Sequence, residues 1–247
     1  MKNKLQLLIG RMIAIWALIS FVSTMFVFIW FYLPCFFLKE PNISKWHRTV
    51  SRIWMGLFLS SIGCRFIVRG KHHFNIETAA VVICNHNSLI DVPICTPFLP
   101  RANKTIAKKS FIYVPLFGWI YQFGSVIVDR KNDQSRSQSY YAMKKVLANG
   151  LDMLIYPEGT RNKTAEPLKS FYDGAFKLAI ETNKPIIPVV LLNTKKILPA
   201  YPIMCLKPGK IQLHILSPIP TEGHTVASLK QLSFNRMAAY YTANNPE

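Results

Sequence analysis

Paired cysteines are missing from this 247-residue sequence. Its five cysteines are scattered, none forms a Cys-x-x-Cys pair, and none has the spacing of a zinc site. The odd number argues against a framework of disulfide bonds, which favours a reducing compartment such as the cytoplasm. We interpret most of these cysteines as packing residues.

Acidic residues are also scarce, at 12 against 30 lysines and arginines, which gives a formal net charge of +18. A basic protein attracts phosphate, either in nucleic acid or on an anionic membrane surface. The sequence carries no helix-turn-helix, RNA-binding or zinc signature, so we do not expect nucleic acid as a partner. Half of the residues are hydrophobic and only 17% are charged, which is apolar for a soluble protein of this length.

Charge of either sign is absent from Met12 to Leu38, a run of 27 residues. An apolar helix of about 20 residues spans a bilayer, whereas a signal peptide has a shorter apolar core and a small-residue cleavage site. This run is too long and too aromatic for a signal peptide. A buried core helix rarely lacks a polar face over such a length. The run therefore predicts a membrane-embedded segment.

The topology of this segment stays open at the level of sequence. Positive charges lie on both sides of it, so the positive-inside rule gives no clear orientation. A second apolar patch begins at Ile53 and is too short to span a bilayer alone. Two arrangements fit: a helical hairpin that enters and returns, or a single anchor followed by an interfacial helix. We divide the chain into N-terminal membrane-anchoring helices over residues 1–63 and a catalytic domain over residues 64–247.

Beyond residue 63, short β-rich runs alternate with helical segments, which predicts an α/β domain. Pro188 indicates an edge or irregular strand, because proline has no N–H to donate to a ladder. The expected strands lie at residues 64–70, 78–84, 125–130, 151–156, 185–192 and 210–216, and the expected helices at 135–150, 171–183 and 225–241.

The first candidate site is the stretch CNHNSLID, which follows an apolar run that is typical of a buried strand. His86 should emerge where that strand ends, and sites in α/β sheets form at strand ends. If the chain then turns into a helix near Ser88, Asp91 can return to the imidazole. A carboxylate beside His fixes its tautomer and stabilises the imidazolium, so His86 can act as a general base. The alternative is a surface histidine with an unrelated capping aspartate.

The second candidate site is YPEGTRNKT, which begins at Tyr156 and also follows an apolar run. Glu158 and Arg161 flank a Gly159-Thr160 turn. Arginine is suited to bidentate phosphate contacts, and glycine lets the backbone approach a ligand closely. The alternative is a solvated turn with a surface ion pair.

Positive charge is concentrated between and around these two stretches. Residues 101–163 contain 11 lysines or arginines against 4 acidic residues. Such a surface can hold a phosphorylated substrate near an anionic membrane. For most of these side chains, a solvated face without a specific ligand is the alternative.

Several blocks of the sequence together resemble the glycerolipid acyltransferases of the bacterial lysophosphatidic acid acyltransferase type. Their Asn-His-x-Ser-x-x-Asp signature matches NHNSLID, and their Glu-Gly-Thr-Arg block matches PEGTR. Three further blocks are similar in the family's order: AKKSFIYVPLFGW, GSVIVDR and KPIIPVV. The resemblance covers roughly residues 79–192. One departure is Phe171-Tyr172-Asp173-Gly174, where the family often has Phe-Lys-x-Gly, which leaves the acceptor headgroup open.

The resemblance implies a mixed β-sheet flanked by helices and a reaction of the acyl-transfer class. The acyl group would move from acyl-CoA or acyl carrier protein to the free hydroxyl of lysophosphatidic acid, which gives phosphatidic acid. The enzyme is then expected at a membrane, in a bacterium the inner membrane, with its catalytic domain at the cytoplasmic face. We expect no cofactor and no metal, because the leaving thiol ionises near pH 8–9 and needs little assistance.

In this hypothesis His86 is the general base and Asp91 orients it. Arg161 would bind the acceptor phosphate together with the Glu158-Gly159-Thr160 turn, and Glu158 would orient the arginine or contact the glycerol. Arg130 and Lys108 are further candidates for phosphate contacts. A nucleophilic role for Ser88 is disfavoured, because the sequence has no Gly-x-Ser-x-Gly elbow.

Other functions remain as alternatives. A sibling acyltransferase could use another lysolipid acceptor, such as a lyso-aminolipid. A noncatalytic membrane lipid-binding protein would keep the anchor but would have no use for His86 beside Asp91. A lipid hydrolase would need a nucleophile elbow or a metal-binding set, and the sequence shows neither.

Overall fold

A computed structural model describes residues 2–129 and 132–244. Seven strands form one sheet in the order β1-β7-β6-β2-β5-β3-β4. All neighbouring pairs are parallel except β6 and β7, which pair antiparallel. The sheet is therefore mixed, and the predicted fold class is confirmed. The strands are β1 (Arg65–Arg69), β2 (Val81–Cys84), β3 (Asn103–Lys108), β4 (Ser125–Val128), β5 (Asp152–Ile155), β6 (Ile186–Leu192) and β7 (Lys210–Ile215).

Helices cover both faces of this sheet. The described α-helices are α1 (Lys2–Phe28), α2 (Asn42–Ser61), α3 (Asp91–Phe98), α4 (Phe117–Phe123), α5 (Asp133–Ala148), α6 (Gly174–Glu181), α7 (Thr194–Ile197) and α8 (Val226–Asn244), and short 3-10 helices lie at Ile29–Phe36, Lys71–Phe74 and Lys109–Tyr113. Side chains alternate along β2: Val82 and Cys84 pack toward α1, α2 and α3, and Val81 and Ile83 pack toward α5, α6 and α8. This alternation produces two apolar cores, one on each side of the sheet.

The N-terminal helices α1 and α2 run antiparallel and are joined by hydrogen bonds between their polar side chains. Ser20 Oγ lies 2.7 Å from Ser61 Oγ, and Trp54 Nε1 donates to Thr24 Oγ1 at 2.9 Å. The apolar patch that begins at Ile53 thus forms the second half of α2 and returns along α1. The division of the chain between residues 63 and 64 stays a prediction.

Helix α1 buries small residues and exposes large apolar ones. Gly10, Ala14 and Ala17 are buried at helical spacing against the rest of the protein. The side chains on its other face are exposed although they are apolar, among them Leu8, Met12, Ile15, Trp16, Ile19 and Phe26. One described stretch, Lys4–Phe36, is long enough to cross a membrane and contains an 18-residue window with a mean hydropathy of 2.4.

The sheet differs from the sequence predictions in two respects. Pro188 does not mark an edge, because β6 lies between β7 and β2. Its carbonyl accepts from Leu216 N at 2.9 Å, just beyond the end of β7. The N–H and C=O of one residue point to the same side of a strand. The side of Pro188 that lacks an N–H therefore faces Leu216, where the chain has already left β7 and needs no further ladder hydrogen bond. Strand β3 was not predicted, because its lysines and polar residues hide a short strand that pairs with β4 and β5.

Candidate active site

His86 and Asp91 form a contact where β2 ends and α3 begins. His86 Nδ1 lies 2.8 Å from Asp91 Oδ2. The same oxygen accepts from the backbone N–H groups of Asn87 at 2.6 Å and Ser88 at 2.7 Å. These bonds fold residues 86–91 into a tight turn around the carboxylate, which is fully buried. The structure thus has the predicted contact between the Asp91 carboxylate and the His86 imidazole.

The contact determines which nitrogen of His86 can accept a proton. Three donors converge on Asp91 Oδ2, and an ionised carboxylate only accepts hydrogen bonds. Nδ1 therefore carries the hydrogen, and the lone pair is on Nε2. The side chain of His86 is 18% exposed, so the ring is not sealed from its surroundings. This arrangement suits a general base whose conjugate acid is stabilised by a buried carboxylate.

The second motif packs against the backbone of the first. Glu158 Oε1 accepts from His86 N at 2.7 Å, and Oε2 accepts from Lys169 N at 2.9 Å. Asn162 N donates to His86 O at 2.6 Å. Burial raises the pKa of the Glu158 carboxyl, and the two backbone N–H donors oppose that shift. Glu158 thus positions the His86 segment, while its contact with a substrate stays a prediction.

Removal of the Glu158 carboxylate is expected to destabilise the protein. In Glu158→Ala the backbone N–H groups of His86 and Lys169 lose their acceptor in a buried site, at a cost of about 1–3 kcal/mol each. For a chain of this length the melting temperature should fall by about 4–24 °C. Thermal unfolding in detergent, followed by circular dichroism, measures the shift. Glu166→Ala, at an exposed position on the same loop, should melt like the wild type; equal melting of both variants would contradict the positioning role.

The Gly159-Thr160 turn adopts the conformation that its sequence suggests. Gly159 has a φ of +69°, and a Cβ there would lie 2.8 Å from the Tyr172 ring. Lys169 Nζ donates to Thr160 Oγ1 at 2.7 Å. Glycine is needed at this position both for the positive φ and for the close approach of Tyr172. The turn is thereby packed between the Tyr172 ring and the Lys169 side chain.

The basic candidates differ in their placement. Arg161 is half-buried, lies next to Asn162 and so beside the His86 backbone, and makes no hydrogen bond or ion pair with any described residue. Lys108 lies at the end of β3 with an exposed side chain, and its backbone N donates to Tyr121 OH at 3.2 Å. Arg130 lies outside the described residues. Of the two described candidates, Arg161 is the one whose neighbour in the chain, Asn162, is hydrogen-bonded to the backbone of His86.

Two residues of the site were not identified from the sequence. The Tyr156 ring lies 4.6 Å from the His86 ring, centroid to centroid, and burial raises the pKa of its hydroxyl. The side chain of Asn85 accepts from Leu191 N at 2.7 Å and donates to Leu191 O at 2.9 Å, which ties the end of β2 to β6. The only indication in the sequence that Tyr156 and Asn85 belong to the site was their position next to residues of the two motifs. Within residues 2–129 and 132–244, no group of three or more His, Cys, Asp or Glu is arranged to hold a metal ion.

Comparison with known proteins gives a consistent result. The model of the acyltransferase family matches residues 65–192. A 1-acyl-sn-glycerol-3-phosphate acyltransferase from Cocos nucifera is 34% identical over 163 residues, which are 65% of this chain and 52% of the relative. The human 1-acyl-sn-glycerol-3-phosphate acyltransferase beta is 31% identical over 198 residues, 75% of this chain and 68% of the relative.

A solved structure shares the fold over nearly the whole chain. The crystal structure of the 1-acyl-sn-glycerophosphate acyltransferase PlsC from Thermotoga maritima superposes with a TM-score of 0.80 at 20% identity, over 97% of this chain and 96% of that one. The chain spans about half the length of the first curated relatives that it matches. The family match covers more than half of the chain and includes both motifs around His86. The chain belongs to the acyltransferase family.

Proposed function

We propose that this protein transfers a fatty acyl group from an acyl thioester to the free hydroxyl of lysophosphatidic acid, which gives phosphatidic acid. The observation that carries the proposal is the 2.8 Å contact between His86 Nδ1 and Asp91 Oδ2 within a chain of the acyltransferase family. The donor is acyl-CoA or acyl carrier protein. The relatives' names support the acceptor, since several relatives similar in sequence are named as 1-acyl-sn-glycerol-3-phosphate acyltransferases.

The chemistry follows from the tautomer of His86. Its Nε2 takes the proton of the acceptor hydroxyl as the oxygen attacks the thioester carbonyl, and Asp91 balances the charge of the imidazolium. The tetrahedral intermediate then breaks its C–S bond. The proton on Nε2 passes to the leaving sulfur, and the histidine returns to its starting state. Because a thiolate is a good leaving group, this reaction mechanism uses neither a metal ion nor a covalent acyl-enzyme.

Arg161 is our candidate for the acceptor phosphate. Its guanidinium can make two parallel hydrogen bonds to phosphate oxygens, and no described residue engages it. Lys108 and Arg130 are weaker candidates for the same group. Gly159 and Thr160 keep the arginine on a fixed turn beside the His86 backbone.

Arg161→Ala is expected to raise the KM for lysophosphatidic acid about 10–100-fold with a smaller effect on kcat, because a charged hydrogen bond contributes about 1.5–3 kcal/mol. Initial rates over a range of acceptor concentrations give both constants. Lys145→Ala, at an exposed lysine on α5, is the control for loss of a surface charge and should leave the KM within about twofold. An unchanged acceptor KM in Arg161→Ala would remove this residue from the phosphate site.

Membrane association is part of the proposal, because both the lipid substrate and the product reside in a bilayer. The exposed apolar face of α1 supports it. The bacterial inner membrane and a catalytic domain at its cytoplasmic face are the arrangement that we propose.

A panel of acceptors tests the proposed substrate. Purified protein and a labelled acyl thioester should convert lysophosphatidic acid at least about 10-fold faster than a lyso-aminolipid, since only the former offers a phosphate monoester to Arg161. The departure from the family pattern puts Tyr172 where the family often has lysine, and the ring of Tyr172 packs against Gly159. The neighbouring Asp173 carboxylate is paired with Lys230 Nζ at 2.6 Å, so it does not by itself favour an amino headgroup. Faster conversion of the lyso-aminolipid would replace the proposed acceptor and leave the reaction class intact.

A further inference from the structure

The loop between α7 and β7 exposes a cluster of large apolar side chains. Three of the four residues at its tip are apolar and solvent-exposed: Tyr201 is 69% exposed, Ile203 is 68% exposed and Met204 is 43% exposed. Single exposed apolar residues are common, whereas several together mark an interaction surface. We call residues 199–204 the apolar loop.

The base of the apolar loop is fixed to helix α1. Leu206 N donates to Gly10 O at 2.9 Å, and Cys205 is buried. A Cβ at Gly10 would lie 2.5 Å from Cys205 Sγ, so helix α1 and the segment at Cys205 are in close contact. The base of the apolar loop therefore lies against the buried face of α1 at Gly10, while the other face of this helix exposes apolar side chains, among them Leu8 and Met12.

Positive charge flanks the apolar loop. The segment from Asn193 to Lys210 contains four lysines and no acidic residue. Lys163 Nζ lies 5.5 Å from the centroid of the Tyr201 ring. Apolar side chains at a tip, flanked by lysines, match the chemistry of a bilayer interface, where acyl chains lie beneath anionic headgroups.

We propose that the apolar loop is a second membrane-contacting element, which inserts Tyr201, Ile203 and Met204 into the interface of an anionic bilayer beside α1. The residue just before the loop contacts the candidate active site, because Ser88 Oγ donates to Leu198 O at 2.7 Å. Its insertion holds the turn from His86 to Asp91 at the lipid surface. The proposed lipid contact does not depend on the enzymatic activity. Only the expected effect on the KM for lysophosphatidic acid rests on the proposed function.

A fluorescent label tests the lipid contact without any measurement of activity. All five native cysteines are buried, so the thiol of Ile203→Cys can be labelled selectively with an environment-sensitive dye. On phosphatidylglycerol vesicles, lipids with a nitroxide high on the acyl chain should quench this dye. The control is Tyr141→Cys, an exposed position on α5 at the other face of the sheet, and its dye should not be quenched. Equal, weak quenching at both positions would overturn the proposal.

A double variant tests the consequence for the reaction. Ile203→Ser with Met204→Ser should raise the apparent KM for lysophosphatidic acid presented in vesicles about 10-fold, because two apolar side chains no longer insert. The rate with a water-soluble short-chain acceptor should not change. An enzyme inactive toward every acceptor would contradict the proposed function but not the quenching result. If instead the double variant dissociates a dimer and the dye at position 203 stays unquenched, the surface binds a second copy and the lipid proposal is wrong.

Discussion

His86→Ala is expected to lower kcat about 10³-fold, within the range of about 10²–10⁴ that a positioned general base contributes. The alcohol of a lysolipid is a poor nucleophile near neutral pH, so its proton must be removed as it attacks. His86 Nε2 is free for this because Nδ1 is bound to Asp91 Oδ2 at 2.8 Å. Turnover of labelled acyl thioester with lysophosphatidic acid measures the loss.

The fold should survive this substitution, because the turn depends on main-chain groups. Asp91 Oδ2 still accepts from Asn87 N and Ser88 N, and Glu158 still accepts from the backbone N–H of residue 86. Circular dichroism and vesicle flotation should match the wild type. His224→Ala, at a partly exposed histidine just before α8, is the matched control and should keep full activity. Turnover of His86→Ala within about tenfold of the wild type would remove the imidazole from the base role.

Asp91→Asn is expected to lower kcat about 10²–10³-fold while the turn around it persists. Only Oδ2 of Asp91 accepts hydrogen bonds, and Oδ1 has no partner among the described residues. An asparagine can therefore place its amide oxygen where Oδ2 lies and its amide nitrogen where Oδ1 lies. The substitution removes the negative charge that stabilises the imidazolium but keeps the acceptor that orients the ring.

Comparison of Asp91→Ala with Asp91→Asn separates the role of the negative charge from the role of the hydrogen bonds that hold the turn. Asp91→Ala removes the acceptor of two backbone N–H groups as well, so its melting temperature should fall, whereas that of Asp91→Asn should stay closer to the wild type. Asp133→Asn, at an exposed position on α5, is the control for loss of a surface charge. Comparable kcat values for Asp91→Asn and the wild type would show that the charge of Asp91 does not serve the reaction.

Much of the architecture can be predicted from the sequence because it depends on local pattern. The apolar runs that became β2 and β6 stand between polar segments, and α5 and α8 carry apolar residues at helical spacing. The return of Asp91 to His86 is also local, because the backbone N–H groups of Asn87 and Ser88, which lie between them in the chain, fold the turn around the carboxylate. The family motifs then linked the strand ends to acyl transfer.

The remaining features depend on contacts between distant parts of the chain. The bond from His86 N to Glu158 joins residues 72 positions apart, and no pattern in either segment indicates that a carboxylate serves a backbone N–H. Strand β3 alternates buried Asn103, Thr105 and Ala107 with more exposed side chains, a pattern with too few apolar residues to recognise. The central placement of Pro188 follows from where β7 ends, which the local sequence of β6 does not encode.

The order of bond formation tests the central claim most directly, namely that a lysolipid hydroxyl activated by His86 attacks the thioester without an acyl-enzyme. Purified protein is mixed with acyl-CoA alone, and thiol release is followed with a thiol reagent before and after addition of lysophosphatidic acid; the buried native cysteines react slowly. We predict no thiol before the acceptor is present and steady release, matched by phosphatidic acid, after it. A burst of one thiol per protein before the acceptor is added, with the acyl group bound to the chain, would contradict this mechanism.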